Sequence, residues 1–594
     1  TQPDYSSFLV AGRPKTGQSL DEVRDLLLEE VAKLREGDFD EKLIEATINN
    51  YKMQLMRSFE ENDSRAILYV YSFISGADWA DEVARLDRMS KITKQDVVEW
   101  ANKYLGPESY AIIYKREGKD PDEQKIAAPK ITPIVTNRDS QSEFLSEIQT
   151  SQVQPIEPVF VDYKKDMSQF EAQPGIDVLY KKNETNDIFT LIYVFNTGTE
   201  NDPALNLAFN YLSYLGTDKM TAEEIASEMY DIACSFYMNA GANQSSIQIT
   251  GLSENMGKAM EIVEGLIAGA KPDEAILENC KADMLKSRAD AKLNQSRCFG
   301  ALQRYLFYGG DFIRRTTLTD PALQALTSEQ LLAKIGGLMG KQHEVLYYGP
   351  QKEAEVKSAL AEHHKVATDL QPLEKKFSTL LPTDANKVVL AQYDAKQLYY
   401  LQFSNRGEKF DVAADPEITL YNEYFGGGMN TIVFQEMREA RGLAYTAWAT
   451  LATPSNANGD YSYYAFIATQ NDKMQKAVEA FDDIINNMPE SEAAFKLAKE
   501  AVLTNLRTSR TIKDEVLWKY IANKDLGVTE DRNKAIFEKV QDMTFADLKA
   551  AQEQWIKDRK YTYCILGDLK DLDQDYLRKL GTVQIVSQKE MFGY

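Results

Sequence analysis

Leu326-Thr327-Ser328-Glu329-Gln330, followed one helix later by Glu344-Val345-Leu346-Tyr347-Tyr348, is a pairing that this chain uses more than once. It returns as Ile92-Thr93-Lys94-Gln95-Asp96 with Tyr110-Ala111-Ile112-Ile113-Tyr114, and as Met543-Thr544-Phe545-Ala546-Asp547 with Tyr561-Thr562-Tyr563-Cys564-Ile565-Leu566. Each helix start places Thr at the N-cap and a carboxylate or amide three residues on, the spacing of a capping box. Upstream of each lies an apolar strand running into an amphipathic helix; the strands are residues 7–10, 246–250 and 463–468. A module of about a hundred residues therefore appears three times, and such self-similarity reports architecture before it reports chemistry. In copies two and three the opening strand is preceded by about seventy similar residues, read as a hairpin and a helix. Copy one has no such stretch in front of it. A module without its partner strands leaves a sheet edge unpaired, so the sequence predicts that this chain is the C-terminal part of a longer protein or pairs with a separate piece.

The helices carry the packing signal. Leu20, Val23, Leu27, Val31 and Leu34 recur at three- and four-residue spacing, as do Met256, Met260, Val263 and Ile267, and Met474, Val478, Phe481, Ile485 and Met488. Each set makes one apolar face, predicted to lie on a sheet. Strands alternating with such helices imply an α+β fold: repeated modules of mostly antiparallel sheet with helices packed on one face. Between copies one and two, Pro121, Pro129, Pro133, Pro155 and Pro158 stand among charged and polar residues, which reads as a linker between two halves. The expected division is 1–117 for the rear part of one module, 118–165 for the linker, and 166–375 and 376–594 for two further modules.

Bulk properties bound the function. The 594 residues carry 91 acidic against 68 basic side chains, a net charge of −23. That balance argues against binding a nucleic-acid backbone, which needs Lys and Arg, and fits an acidic, solvated surface. No apolar run has the length of a membrane span. Cys234, Cys280, Cys298 and Cys564 are widely spaced, without a C-x-x-C, and read as buried free thiols.

Phe425-Gly426-Gly427-Gly428-Met429-Asn430-Thr431-Ile432-Val433-Phe434-Gln435-Glu436-Met437-Arg438-Glu439-Ala440-Arg441-Gly442-Leu443-Ala444-Tyr445 resembles the glycine-rich turn, helix and R-E-x-R-G-L-A-Y segment of insulinase/pitrilysin-type metallopeptidases. The resemblance extends over essentially the whole chain. It implies a pitrilysin/insulinase-like arrangement of modules in two halves enclosing a chamber. Copy one would then be the second module of the N-terminal half, and copies two and three the C-terminal half. The family's zinc site is an inverted His-x-x-Glu-His helix with a later glutamate, where two His on one helix face hold the metal and the Glu acts as general base. Only His343, His363 and His364 occur here, none in that arrangement. His363 and His364 are adjacent, about a hundred degrees apart on a helix, and read as solvated surface; His343, just before a strand, reads as capping or packing. The matching helices, residues 205–216 and 418–425, contain no His. No metal ligand or catalytic general base is therefore predicted in this chain, and zinc would belong to the parent protein.

The resemblance carries substrate binding over to Arg438 and Tyr445, seven residues apart. A guanidinium and a phenol aimed at a carbonyl oxygen that gains charge during water attack would orient the peptide and stabilise the tetrahedral intermediate. The bland alternatives are a salt-bridged helix arginine, with Glu439 and Arg441 beside it, and one more of 32 tyrosines covering a sheet edge. Arg441 reads as support for the turn at Gly442. The triple glycine lacks the Lys-Ser/Thr of a phosphate loop and reads as a tight turn with close backbone approach. Two functions follow. In the first, the chain is the substrate-clamping part of a zinc endopeptidase, inactive alone, whose partners are peptide substrates and a missing N-terminal zinc-bearing module. In the second it is a non-catalytic assembly partner of an active subunit. Composition permits cytosol or periplasm alike, and the resemblance tilts the expected location to the periplasm.

Overall fold

The computed structural model describes residues 4–15, 17–108, 110–116, 118, 142–152 and 154–594. It divides into two compact units, Thr1–Glu157 and Pro158–Tyr594. The Pro-rich residues Pro121, Pro129 and Pro133 lie outside the described residues; within the rest of the expected linker, Glu143–Thr150 is a helix capped by Ser142.

The first unit is helical among its described residues. Its long helices are Leu20–Glu36, Lys42–Phe59, Asn62–Ser75 and Lys94–Tyr104. The first opens with a Ser19/Glu22 capping box and closes on Gly37 at φ 75°, the left-handed position that glycine adopts without a Cβ penalty. The predicted capping box at Thr93/Asp96 is present. The predicted strands are not: residues 7–10 and 110–114 belong to no ladder, and the helix expected to bury Leu20, Val23, Leu27, Val31 and Leu34 on a sheet has no buried residue.

The second unit holds two six-stranded sheets. The first contains β1 (Ser168–Gln173), β2 (Ile176–Lys182), β3 (Ile188–Phe195), β4 (Cys234–Ala240), β5 (Ser245–Leu252) and β6 (His343–Gly349), in the order β1-β2-β6-β3-β5-β4. The second contains β7 (Lys387–Gln392), β8 (Gln397–Ser404), β9 (Ala444–Ala452), β10 (Ser462–Gln470), β11 (Thr562–Gly567) and β12 (Thr582–Ile585), in the order β12-β7-β11-β8-β10-β9. Five strands correspond one to one: β2 and β7 pair in parallel with β6 and β11, and every further pairing inward is antiparallel. The opening and closing strands of a module, β5 and β6, both border β3 and never each other. In the first unit, residues 7–10 and 110–114 were expected to be these two strands; no counterpart of β3 is found among the described residues there, and neither segment joins a ladder.

Both predicted helix faces in this unit are buried: Met256, Met260, Val263 and Ile267 under the first sheet, and Met474, Val478, Phe481 and Ile485 under the second. The capping boxes at Thr327/Gln330 and Thr544/Asp547 form as expected, and all four cysteines are free and buried. The opposite face of each sheet is covered by exchange. Cys298, Phe299, Leu302 and Leu306, from a helix of the first module, pack on Leu401, Phe403 and Leu566 of the second sheet. Val516, Leu517 and Ile521, from the second module, pack on Leu179, Ile192 and Leu346 of the first.

Candidate functional site

The site grows from helix Asp415–Phe425. Its first turn is anchored where Asp415, 3% exposed, takes both arms of Arg532 at 2.5 and 2.6 Å. Its last turn meets the outer edge of β9. The Asn422 side chain donates to the Leu451 carbonyl at 3.0 Å and accepts from the Leu451 N–H at 2.9 Å, imitating a strand partner. The chain then turns at Gly426, whose carbonyl accepts from the Ala449 N–H at 3.1 Å. A Cβ on Gly426 would sit 2.2 Å from the Asn422 carbonyl and 2.9 Å from that of Ala449. Close approach is the reason for this glycine. Thr431, bonded through its hydroxyl to the Gly428 carbonyl at 2.8 Å, starts the next helix.

That helix is irregular. Residues Gln435–Ala440 form a π turn, closed by the Arg441 N–H on the Glu436 carbonyl at 3.2 Å. A π turn accommodates an extra residue and rotates side chains away from an α-helical course, and such turns gather at functional sites. Arg438 lies inside it. Its guanidinium carbon stands 4.8 Å above the Phe434 ring and 4.7 Å above the Tyr445 ring. Its ion pair to Glu439 is loose at 3.6 Å.

After Gly442, at φ 57°, the chain enters β9. Thr446 pairs with Ala468 and Ala444 with Thr469, so Tyr445 is the extra residue of a β-bulge. A bulge re-aims the side chain it carries. Tyr445 is 76% exposed. Arg438 and Tyr445 are thus brought into contact, stacked, each on a backbone irregularity. In the first module the corresponding helix Ala222–Asp231 is α throughout and β4 pairs with β5 without a register shift.

Arg441 binds Glu436 at 3.4 Å and Asp483, on helix Met474–Asn486, at 2.8 Å. That bond holds the Asp483 carboxyl below the usual carboxylate range and raises Arg441. Sequence reasoning missed Phe434 and Asp483. Phe434 carries an i,i+4 spacing to Arg438 that would have found it; Asp483 carries no local signal.

The histidines do not form a metal site. His343 and His364 are buried together, Nε2 to Nε2 at 2.8 Å. His343 Nδ1 faces the Lys341 carbonyl at 2.8 Å and His364 Nδ1 faces Glu264 at 2.6 Å. Every ring nitrogen of the pair is taken by a hydrogen bond. Among the described residues no group of three His, Cys, Asp or Glu could hold a metal ion, so the residues present do not fit zinc. The solvated surface expected for His364 is corrected: the strand and the helix end bring it against His343.

Residues 342–502 match the family model described as the peptidase M16 inactive domain. This match, over about a quarter of the chain, agrees with the resemblance to insulinase/pitrilysin-type peptidases read from the sequence. An uncharacterized zinc protease of Rickettsia bellii is 23% identical over 344 residues, 55% of this chain and 77% of that protein. Among solved structures, the peptidase M16 inactive domain from Pseudomonas fluorescens aligns with a TM-score of 0.56 at 16% identity, over 68% of this chain and 98% of that one. The periplasmic protease PqqL from Escherichia coli aligns at 0.55 and 13% identity, over 92% of this chain and 63% of that one. These likenesses carry the α+β, helix-covered sheet architecture. No helix among the described residues is long and apolar enough to cross a membrane.

Proposed function

We infer that this chain is the substrate-clamping portion of a zinc endopeptidase that cleaves peptides in an enclosed chamber, with zinc and general base supplied by a module outside these residues. The observation that carries the reading is the Arg438–Tyr445 stack on a π turn and a β-bulge, two distortions absent from the sister module. A purely structural subunit has no use for two exposed donors presented at such a cost in regular backbone. Arg438 supplies charge and directed N–H groups, Tyr445 a hydroxyl, and both would grip a substrate carbonyl as its oxygen becomes negative. The unpaired segments 7–10 and 110–114 support a partner that brings a strand between them. The resemblance, together with the likeness to a periplasmic protease, supports a periplasmic location as part of this proposal.

The match of residues 342–502 to a model described as inactive favours a second reading, that of a non-catalytic assembly partner. Arg438→Ala and Tyr445→Phe decide between them. In the complete assembly each lowers kcat/KM about ten- to a thousandfold on the first reading, with the urea midpoint unchanged; wild-type turnover in both leaves the second.

A further inference from the structure

The two modules of the second unit serve as controls for each other, and one difference between them concerns a residue outside the motif. Helices Met256–Gly269 and Met474–Asn486 follow β5 and β10 in the same way. Laid side by side they match Met256 with Met474, Ala259 with Ala477 and Ile267 with Ile485, which puts Asp483 where the first module has Gly265. The sister segment also has no arginine after its Glu228-Met229 pair, whereas Glu436-Met437 is followed by Arg438 and Arg441. The π turn, the bulge, both arginines and Asp483 occur together in one module and are all missing from the other.

The contacts join them. Arg441 reaches Glu436, five residues back across the π turn, and Asp483 on the neighbouring helix. The same turn is tied at its exit by the Leu443 N–H on the Met437 carbonyl at 2.9 Å and by the Thr469 hydroxyl on the Leu443 carbonyl at 2.6 Å. Arg438 sits in the middle of the segment so held, and Tyr445 two residues beyond its last tie.

Resting on the reading of Arg438 and Tyr445 given above, we propose that Asp483 is a positioning residue which, through Arg441, holds the π turn so that the Arg438 guanidinium and Tyr445 phenol stand together toward the substrate. Asp483 touches neither of them. Its effect is on their placement, and a displacement of about an ångström at such a site lowers turnover by up to a hundredfold. Because the Arg441–Asp483 pair is half exposed, salt screens it.

The test is hydrogen–deuterium exchange of residues 435–446 in the 594-residue chain carrying Asp483→Asn, Asp483→Gly or Asp483→Glu. Asn and Gly raise exchange in this segment several-fold and leave the urea midpoint in place; Glu stays near wild type, and 1 M NaCl moves wild type toward Asn. Added to a zinc-bearing upstream module, Asp483→Asn lowers kcat about tenfold on a quenched fluorogenic peptide, with KM little changed. Unchanged exchange and unchanged kcat in Asp483→Asn, while Arg438→Ala impairs cleavage, overturns the positioning role alone. An Arg438→Ala protein that cleaves like wild type removes the site reading and the positioning role with it.

Discussion

At the residue scale, side chains that are far apart in sequence decide the most. Gly426 is fixed by two carbonyls that a Cβ would strike, and the Asn422 contact is backbone that has nowhere to go. Gly426→Ala is expected to destabilise the chain by about 1–3 kcal/mol, read as a lowered urea midpoint. His343 gives a pH dependence. Burial, then the neighbouring His364, lowers its pKa from 6.5 to about 4. An unfolded chain takes up a proton near 6.5 that folded His343 refuses until about 4. Its contribution to stability is complete above 6.5 and declines as pH falls through that window, by about 3 kcal/mol in all. The groups facing it are His364, Glu264 beyond it, the Lys341 carbonyl and the rings of Tyr193 and Phe195. Urea midpoints at pH 7 and 5 should converge in His343→Gln relative to wild type; equal slopes for both proteins contradict the assignment. The spacing of Arg438 and Tyr445 was legible in sequence. The His343–His364 bond and the Arg441–Asp483 bond were not, since neither is encoded by a local pattern and each joins elements that meet only in the folded sheet.

At the scale of the element, periodicity served where an element has its partner and misled where it has none. The faces of Met256–Gly269 and Met474–Asn486 were readable because a sheet lies beneath each. Residues 7–10 and 110–114 have strand-like sequence, yet a strand exists only in a ladder, and among the described residues neither has one. The helix exchange also escaped sequence reading, since an apolar face does not name the sheet it will cover. It predicts a coupling. Leu517 is fully buried against the first sheet although it belongs to the second module. Leu517→Ala should cost about 2–5 kcal/mol and lower the stability of both modules together, so that Trp518 fluorescence and far-ultraviolet circular dichroism report one shared transition in urea. Separate transitions, with the first module unaffected, would speak against the exchange as a source of cohesion.

At the scale of the whole molecule, the proposed function gives this chain the grip on the substrate and leaves the metal chemistry to a separate module. The described residues hold two six-stranded modules, one of which carries the Arg438–Tyr445 pair, and a first unit in which residues 7–10 and 110–114 join no ladder. The most direct measurement is cleavage of a quenched fluorogenic peptide by this chain alone, by a separately produced zinc-bearing upstream module alone, and by the two mixed with stoichiometric zinc, each repeated with Arg438→Ala. Cleavage is expected only in the mixture, with a loss of at least about tenfold on Arg438→Ala. Association of the two pieces with zinc retained and no cleavage, or cleavage indifferent to Arg438→Ala, would contradict the proposed function.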